Sequence, residues 1–320
     1  MRTTDRCVSA LIPVHNGSRW LQNTFKYLEQ NLNKGDEIVF AENGSTDDSI
    51  KLLKQWKTEL PFQVISLPNA NLVKSLNLGV KACSNNWIAR FDVDDNYSPF
   101  RVEEQRKLMA DNVIAIFTDY DVLGNAKIKL GKILSPLFPK ATLISLVNSQ
   151  RTAHPSAIFS KQAFLDVGGY ILEDYPAEDV SLWLRMARVG SLVSSPFTGL
   201  KYNLRAHSIS SENYNRAVAK KNLLVEREFK NGNLLEDLDL ETLISEMRFH
   251  YLSDEQGFQR ALLLYRDLRR LLILTGGSQL PLTEVLNSLS EYSNISNRIR
   301  CVSKMSIERL ARKTYRKVMA

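Results

Sequence analysis

The chain has 320 residues, of which 44% are hydrophobic and 24% are charged, a balance that is ordinary for a globular protein and excludes a largely disordered one. Its three cysteines are far apart and odd in number, which argues against a disulfide framework and favours a reducing compartment. The formal net charge is +7, and the whole excess lies after residue 297, where eight basic residues accompany the single acid Glu308.

The sequence lacks the pattern of a secretion signal or of a membrane span. The apolar run from Cys7 to Val14 is short and has polar flanks. The leucine-rich stretch from Ala261 to Leu274 is interrupted by four charged residues. We therefore expect a cytoplasmic protein.

The first 91 residues alternate between apolar runs and helical spacing. Strands are predicted at Val8–Val14, Glu37–Ala41, Phe62–Leu67 and Trp87–Phe91, and helices after Ser18, after Asp47-Asp48 and from Val73 to Ala82. Strands joined through crossover helices predict a doubly wound parallel sheet. In such sheets ligands bind beyond the carboxyl ends of the strands, which here carry His15-Asn16-Gly17, Glu42-Asn43-Gly44 and Asp92-Val93-Asp94-Asp95.

Three acids follow the fourth strand within four positions, namely Asp92, Asp94 and Asp95. Clustered carboxylates repel one another, and a bound divalent cation is the simplest reason for a fold to hold them together. Mg²⁺ and Mn²⁺ both prefer carboxylate oxygen. The alternative interpretation is that Asp94, Asp95 and Asn96 cap a helix that begins at Ser98-Pro99.

The pattern after the acids changes twice. Val113–Phe117 is predicted to be a strand, whereas residues 119–148 show no clear element. Further short strands are predicted at Ala157–Phe159, Leu192–Val193 and Leu200–Leu204, and Glu178-Asp179 is predicted to open an amphipathic helix with Leu182, Met186 and Val189 on one face. From about Asn213 the periodicity is helical throughout, so we expect one domain over residues 1–212 and a helical domain over residues 213–320.

Four motifs carry a resemblance to a known family. They are Ile12-Pro13-Val14-His15-Asn16-Gly17, Glu42-Asn43-Gly44-Ser45-Thr46-Asp47, Asp92-Val93-Asp94-Asp95 and Ala177-Glu178-Asp179. In this order the chain closely resembles the family 2 inverting glycosyltransferases of the GT-A fold, over residues 7 to about 212. The expected fold class is α/β, a GT-A domain with a Rossmann-like, mainly parallel sheet flanked by helices, followed by an all-helical C-terminal extension.

The resemblance implies a site for a nucleotide-sugar donor. Its residues would be Pro13, Val14, Asn16, Glu42, Lys74, Asp92 and Asp94. A Mn²⁺ or Mg²⁺ ion would be held by Asp94, Asp92 and His207, the last in a segment that resembles a closing loop. Where this chain has Glu42 and Asn43, the family more often has Asp and Asp, which leaves the base selectivity open. The family usually has Gly near the position of Asn71, a mild departure because Asn tolerates a left-handed backbone. Lys74 has the alternative of being a solvated helix residue.

The resemblance also implies a catalytic base, Asp179, with Glu178 as its orienting neighbour. Because a helix N-terminus lowers the pKa of a carboxylate, we expect a weak base and a late proton transfer. The alternative is that both acids simply complement the helix dipole. His154, Gly169 and Tyr170 are expected on the acceptor side.

The expected activity is inverting transfer of a sugar, most naturally from a UDP-sugar, to a hydroxyl of a saccharide or lipid-linked acceptor in bacterial surface-polysaccharide synthesis. Basic residues around an apolar face in 298–320 favour attachment to an anionic membrane surface, and packing on the protein itself or on a second subunit stays open. A sugar-1-phosphate nucleotidyltransferase is the second candidate. Nucleic-acid binding through the tail is the third, and we do not expect it because the tail has few stacking aromatics.

Overall fold

A nine-stranded mixed sheet lies at the centre of the computed structural model, which describes residues 6–124, 127–148, 150–205, 208–230, 240–251 and 255–275. The strands are β1 (Val8–Val14), β2 (Glu37–Asn43), β3 (Phe62–Leu67), β4 (Trp87–Arg90), β5 (Asn96–Tyr97), β6 (Val113–Leu123), β7 (Lys129–Ile133), β8 (Ile158–Ser160) and β9 (Ser191–Asn203). Their order in the sheet is β3-β2-β1-β4-β8-β6-β9-β5, and β7 pairs with β6 outside this path.

The sheet is mainly parallel, as the sequence predicts. Strands β1, β2, β3 and β4 pair in parallel, and β6 pairs in parallel with β9. Strand β8 lies antiparallel between β4 and β6, so these two strands have the same direction. The short strands β5 and β7 also run antiparallel to their partners. The carboxyl ends of β1, β2 and β4 therefore meet at one edge.

Helices cover the sheet and continue beyond it. They are α1 (Ser18–Asn31), α2 (Ser49–Gln55), α3 (Leu72–Ala82), α4 (Arg101–Arg106), α5 (Pro139–Val147), α6 (Lys161–Asp166), α7 (Glu178–Met186), α8 (Ile209–Glu212), α9 (Tyr214–Lys230), α10 (Leu240–Tyr251) and α11 (Glu255–Thr275). Within the described ranges, none of these helices is both long enough and apolar enough to cross a membrane.

The alternation of side chains along the central strands explains the two layers of helices. Strand β1 is buried on both faces, which is why it reads as a continuous apolar run. Leu11 packs in the cluster that includes Leu76 of α3, whereas Ile12 packs in the opposite cluster with Phe25 of α1. Successive strand residues point to opposite faces, so one strand contributes to both cores.

Several predicted elements differ from the observed ones. The two short strands predicted near residues 192 and 200–204 are one strand, β9, whose register against β6 shifts around Asp119. Residues 119–148, without a clear prediction, contain the end of β6, β7 and α5. Helix α7 ends at Met186, and Val189, predicted on its apolar face, is 55% exposed. Local patterns miss these features because long-range pairing determines them.

The helices after residue 230 pack on the sheet domain through α5. Their apolar residues, among them Leu243, Met247 and Leu264, form one cluster with Phe138 and Ile144. The all-helical character predicted from the sequence is confirmed over the described part of this region. The domain boundary at residue 212 stays a prediction.

A buried ion pair joins this helical region to the sheet. The guanidinium of Arg260 on α11 donates to both carboxylate oxygens of Asp119 on β6, over 2.9 and 2.6 Å, and the backbone N–H of Ser135 donates to the same carboxylate. Both charged side chains are almost fully buried. Lys132 lies 3.5 Å from the same carboxylate, so loss of Arg260 would leave Asp119 in the interior with one longer ion pair.

We expect Arg260→Met to lower the free energy of unfolding by about 3 kcal/mol, because Asp119 would stay buried without its two-bond guanidinium partner and would keep only Lys132, 3.5 Å away. Arg266→Met is the matched control, since Arg266 is 33% exposed and its buried partner Asp267 also pairs with Arg151 over 3.2 Å, so we expect a loss of about 1 kcal/mol or less. Denaturant unfolding of the full chain measures both. Equal losses in the two variants would contradict this account, and adding Asp119→Asn to Arg260→Met should recover part of the loss.

Candidate active site

The acid turn, residues 92–95, follows β4 directly. Oxygen atoms of Asp92, Asp94 and Asp95 lie within 4.8 Å of one another. The turn is fixed from two sides: the backbone N–H of Asp92 donates to the hydroxyl of Tyr97 over 2.6 Å, and the side-chain amide of Asn203 donates to the carbonyl of Asp94 over 2.8 Å. The three acids predicted from the sequence therefore do form one cluster.

Asp95 ties the acid turn to β9. Its carboxylate is buried and accepts the backbone N–H of Asn203 over 2.9 Å. Burial and the neighbouring charge of Asp92 raise the pKa of Asp95 well above its usual range. The alternative interpretation as a helix cap is wrong, because α4 begins at Arg101 and its N-cap residue is Phe100.

Asp92 and Asp94 have different surroundings. Asp92 pairs with the buried guanidinium of Arg90 over 2.8 Å. Asp94 pairs with Arg205, whose guanidinium lies 4.5 Å from the centre of the Trp20 ring. Sequence reasoning missed both arginines, although Arg90 stands two residues before the acids. Each of the two carboxylates is about 30% exposed, so both can be reached from outside.

The cluster fits a divalent cation in its chemistry and spacing. Carboxylate oxygens are the ligands that Mg²⁺ and Mn²⁺ prefer, and Mg²⁺ usually takes one or two carboxylates together with substrate phosphates. Asp92 and Asp94 are the suitable pair, because Asp95 is buried and already accepts a hydrogen bond from β9. A cation that takes the Asp94 oxygen now bonded to Arg205 would have to displace that guanidinium.

The ends of β1 and β2 meet beside the acid turn. Pro13 and Val14 are opposite Ala41 and Glu42 in the parallel register. Glu42 is buried, and its carboxylate accepts the backbone N–H of Ser45 over 2.5 Å. The structure thus brings the predicted nucleotide-contact residues of these two strands together, and their contact with a base stays a prediction.

Asn16 joins the two loops that follow β1 and β2. Its backbone has a positive φ of 49°, and its side-chain oxygen accepts the backbone N–H of Thr46 over 2.8 Å. A left-handed backbone is tolerated by Asn better than by most residues. Asn16 is therefore held by the loops, and its amide nitrogen lies 3.4 Å from Nε2 of His15.

Asp47 is a residue whose role the sequence did not reveal. Its carboxylate accepts the backbone N–H of Ser18 and of Ser49, both over 3.0 Å. Burial acts to raise the pKa of Asp47, but hydrogen bonds from Ser49 and Ser18 outweigh it and lower the pKa to about 2. As predicted, this acid lies at a helix start, and it also fastens the β1–α1 loop to the start of α2.

The start of α3 carries Asn71 and Lys74. Asn71 is the N-cap of α3, and its side chain accepts the backbone N–H of Lys74 over 2.9 Å. Its own backbone N–H donates to the side chain of Asn43 over 2.5 Å. The Lys74 side chain is exposed. A contact with the diphosphate stays a prediction.

Glu178 and Asp179 form the first turn of α7, as predicted. Glu178 is 6% exposed, and within the described part of the chain its Oε2 has no hydrogen-bond partner. Burial and then the charge of Asp179 raise the pKa of Glu178 to about 7. Burial also raises the pKa of Asp179, against the lowering effect of the Val180 N–H and of Lys221. The expectation of lowered pKa values was wrong, because burial outweighs the helix N-terminus.

We expect Glu178→Gln to stabilise the fold at pH 8 and not at pH 5. Between pH 4.5 and about 7 the unfolded chain loses this proton while the folded chain keeps it, so the stability of the wild type falls as the pH rises. The neutral amide avoids that loss, a gain of up to about 3 kcal/mol. Unfolding at both pH values, with the exposed Glu173→Gln as control, measures it. An equal difference at pH 5 and pH 8 would contradict it.

Of the residues expected on the acceptor side, Gly169 and Tyr170 are buried and His154 is partly buried. The hydroxyl of Tyr170 lies 2.7 Å from Nε2 of His154, and the Tyr170 side chain is 3% exposed. Burial and the charge of Arg90 lower the pKa of His154 well below its usual range. Gly169 has a φ of 69°, and a Cβ there would come within 2.8 Å of the Asn77 side chain. Contact of these residues with an acceptor stays a prediction.

Arg90 lies between the acid turn and α7. It pairs with Asp92, and its charge acts on Tyr170, Glu178 and Asp179. The charge of Asp92 also acts on Glu178. The acids of the two motifs, separated by more than 80 residues in the sequence, are therefore neighbours in one site. His207, predicted as a metal ligand, and the basic stretch 298–320 lie outside the described residues.

Comparison with known proteins identifies the family. Residues 9–167 match the model described as "Glycosyl transferase family 2". The chain belongs to glycosyltransferase family 2. It is 28% identical over 197 residues to the amylovoran biosynthesis glycosyltransferase AmsE of Erwinia amylovora, which covers 58% of this chain and 72% of that protein. It is 29% identical to the O-antigen biosynthesis glycosyltransferase WbnJ of Escherichia coli, covering 56% and 71%.

Solved structures of glycosyltransferases share the fold of this family 2 chain. TarS 1-349 of S. aureus in complex with UDP aligns with a TM-score of 0.54 and 13% identity, covering 97% of this chain and 91% of that one. The mannosyltransferase PcManGT of Pyrobaculum calidifontis, in complex with GDP-Man and Mn²⁺, aligns with a TM-score of 0.56 and 12% identity, covering 96% and 86%. The GT-A fold predicted from the motifs is confirmed.

Proposed function

We propose that this glycosyltransferase transfers a sugar, with inversion, from a nucleotide-diphospho-sugar to a hydroxyl group of a saccharide or lipid-linked acceptor. The observation that carries the proposal is the proximity of two acid pairs with different properties. Asp92 and Asp94 are partly exposed and paired with arginines, whereas Glu178 and Asp179 have raised pKa values. Such divergence between neighbouring carboxylates is typical of sites that divide binding from proton transfer.

Asp92 and Asp94 would hold the diphosphate of the donor through Mn²⁺ or Mg²⁺. When bound, the cation supplies Lewis-acid stabilisation of the charge that develops on the leaving nucleoside diphosphate. Glu42, with Pro13 and Val14, would contact the base, and a carboxylate acceptor suits the N–H of uracil or of guanine. We favour a UDP-sugar as the donor.

Asp179 would act as the general base. As the acceptor oxygen forms its bond to the anomeric carbon, its proton passes to the Asp179 carboxylate. The electron pair of the bond that breaks departs with the nucleoside diphosphate. A raised pKa suits this task, because a base works best when its pKa is near the working pH.

A role in bacterial surface-polysaccharide synthesis is supported by the names of the relatives, which act in amylovoran and O-antigen biosynthesis. Cytoplasmic residence, attachment to the inner face of the membrane and association with a second subunit remain part of the proposal. The membrane contact would involve residues 298–320, which the structure does not describe.

Hydrolysis of donors by the full chain tests the proposal. We expect release of nucleoside diphosphate from at least one of UDP-, GDP- or dTDP-sugars, with Mn²⁺ and not with EDTA. No turnover of any donor, or turnover that EDTA leaves unchanged, would overturn the proposed site. Formation of a nucleoside triphosphate from a nucleotide-sugar and pyrophosphate would instead identify the nucleotidyltransferase alternative.

A further inference from the structure

Both oxygens of the Asp179 carboxylate accept a hydrogen bond. Oδ1 accepts the backbone N–H of Val180 over 2.8 Å, and Oδ2 accepts the side-chain amide of Gln150 over 3.2 Å. Each carboxylate oxygen has two lone-pair positions, so these bonds leave room for a third partner. They also fix the rotation of the carboxylate about its bond to the chain. The direction of the remaining lone pairs thus depends on Gln150.

Gln150 is held in position by a backbone conformation that few side chains adopt. Its φ is +45°, in the left-handed region. Its backbone N–H donates to the carbonyl of Ser145 in α5 over 2.6 Å, so the chain turns back at the end of that helix. Non-glycine residues keep such conformations where the surrounding structure imposes them, often at functional sites.

Lys221 of α9 holds the same segment from the other side. Its ammonium group donates to the carbonyl of Asn148 over 2.8 Å. Its charge also acts on Asp179. Lys221 lies beyond residues 9–167, the part of the chain that matches the family model. The helical region after residue 212 therefore contributes directly to the surroundings of the candidate base.

We propose that Gln150 is a positioning residue, which aims the Asp179 carboxylate at the acceptor hydroxyl, and that Lys221 anchors the segment carrying Gln150 through the carbonyl of Asn148. This inference rests on the proposed role of Asp179 as the base. Asp179 faces Glu178 and Val180 of its own helix, Gln150 from the segment after α5, Lys221 from α9 and Arg90 from β4. Among these, Gln150 is the neutral side chain that donates to Oδ2, whereas Oδ1 accepts the backbone N–H of Val180.

The test compares Gln150→Leu with the wild type in donor hydrolysis by the full chain. Leucine keeps most of the volume and removes the donor group. A misdirected base lowers the turnover number, and a displacement of about 1 Å can cost about 100-fold. We expect kcat to fall by about 10- to 100-fold and KM for the donor to stay unchanged, because the diphosphate contacts lie on the acid turn.

Gln150→Glu should shift the pH profile of kcat, a change that loss of structure alone would not produce. A second negative charge beside Asp179 should raise the pKa of the base, so the acid limb of the kcat profile should shift to higher pH than in the wild type. Lys221→Met should lower kcat in the same direction as Gln150→Leu. Gln162→Leu is the matched control, because that amide donates over 2.7 Å to the exposed Asp166, away from the site.

Asp179→Asn, measured in parallel, separates the two levels of the proposal. If Asp179→Asn is inactive while Gln150→Leu keeps the wild-type kcat and pH profile, the positioning role is overturned and the base assignment stands. If Asp179→Asn keeps its activity, the proposed function itself fails. A fall in kcat for Gln150→Leu together with a shifted acid limb for Gln150→Glu, absent in Gln162→Leu, supports the inference.

Discussion

Asp179→Asn is expected to lower kcat by about 100- to 10,000-fold, the range that a positioned general base usually contributes. The amide keeps the shape of the side chain and can still accept the Val180 N–H, so the start of α7 should be preserved. Donor binding should change little, because the donor contacts that we propose lie on the acid turn and at the ends of β1 and β2. Steady-state hydrolysis and direct titration of UDP with Mn²⁺ measure the two effects separately.

Two further variants make this result specific. Asp166→Asn removes an exposed aspartate at the end of α6 and should keep wild-type turnover. Glu178→Gln tests whether Glu178 could be the base instead. A loss of turnover in Glu178→Gln that equals the loss in Asp179→Asn, or full activity of Asp179→Asn, would contradict the assignment.

The second large effect is expected for Asp94→Asn. Removal of one carboxylate weakens cation binding and with it the stabilisation of the leaving diphosphate, which is worth several kcal/mol. We expect kcat/KM to fall by about 1,000-fold, equivalent to about 4 kcal/mol. The variant should also lose the Mn²⁺ dependence of UDP binding, which titration calorimetry measures.

Asp111→Asn is the control for this variant, since Asp111 is exposed. In Asp94→Asn we expect the guanidinium of Arg205 to lose its carboxylate partner and to keep its place over the Trp20 ring. A variant that binds UDP with the wild-type dependence on Mn²⁺ would remove Asp94 from the cation site.

The sequence predicted the parts of the site that short motifs carry. Buried strands read as apolar runs, and the carboxyl ends of parallel strands meet at one edge, so the placement of Glu42 and the acid turn at the same edge of the sheet followed from the topology. Asp179 and Glu178 were predicted by resemblance. Their raised pKa values were not, because burial depends on what packs over the start of α7, and that packing leaves no local pattern.

The contacts that connect the motifs were beyond sequence reasoning. Gln150, Lys221 and Arg205 each reach their carboxylate or carbonyl partner across a long sequence separation. Gln150 lies two residues after the stretch 119–148, whose elements could not be predicted, and Lys221 lies in the helical extension. Asp95 looked like a helix cap because acids before a proline often are, yet β9 pairs with β5 nearby and supplies the backbone N–H that it accepts.

The central claim is that the acid turn would hold the donor diphosphate through a divalent cation, and calorimetric titration of UDP into the full chain tests it most directly. We predict saturable binding of UDP in the presence of Mn²⁺, a strong loss of affinity when EDTA removes the cation, and the same loss in Asp94→Asn with Mn²⁺ present. Binding of UDP, GDP and dTDP that is equally weak with and without Mn²⁺, or binding that EDTA leaves unchanged, would contradict it.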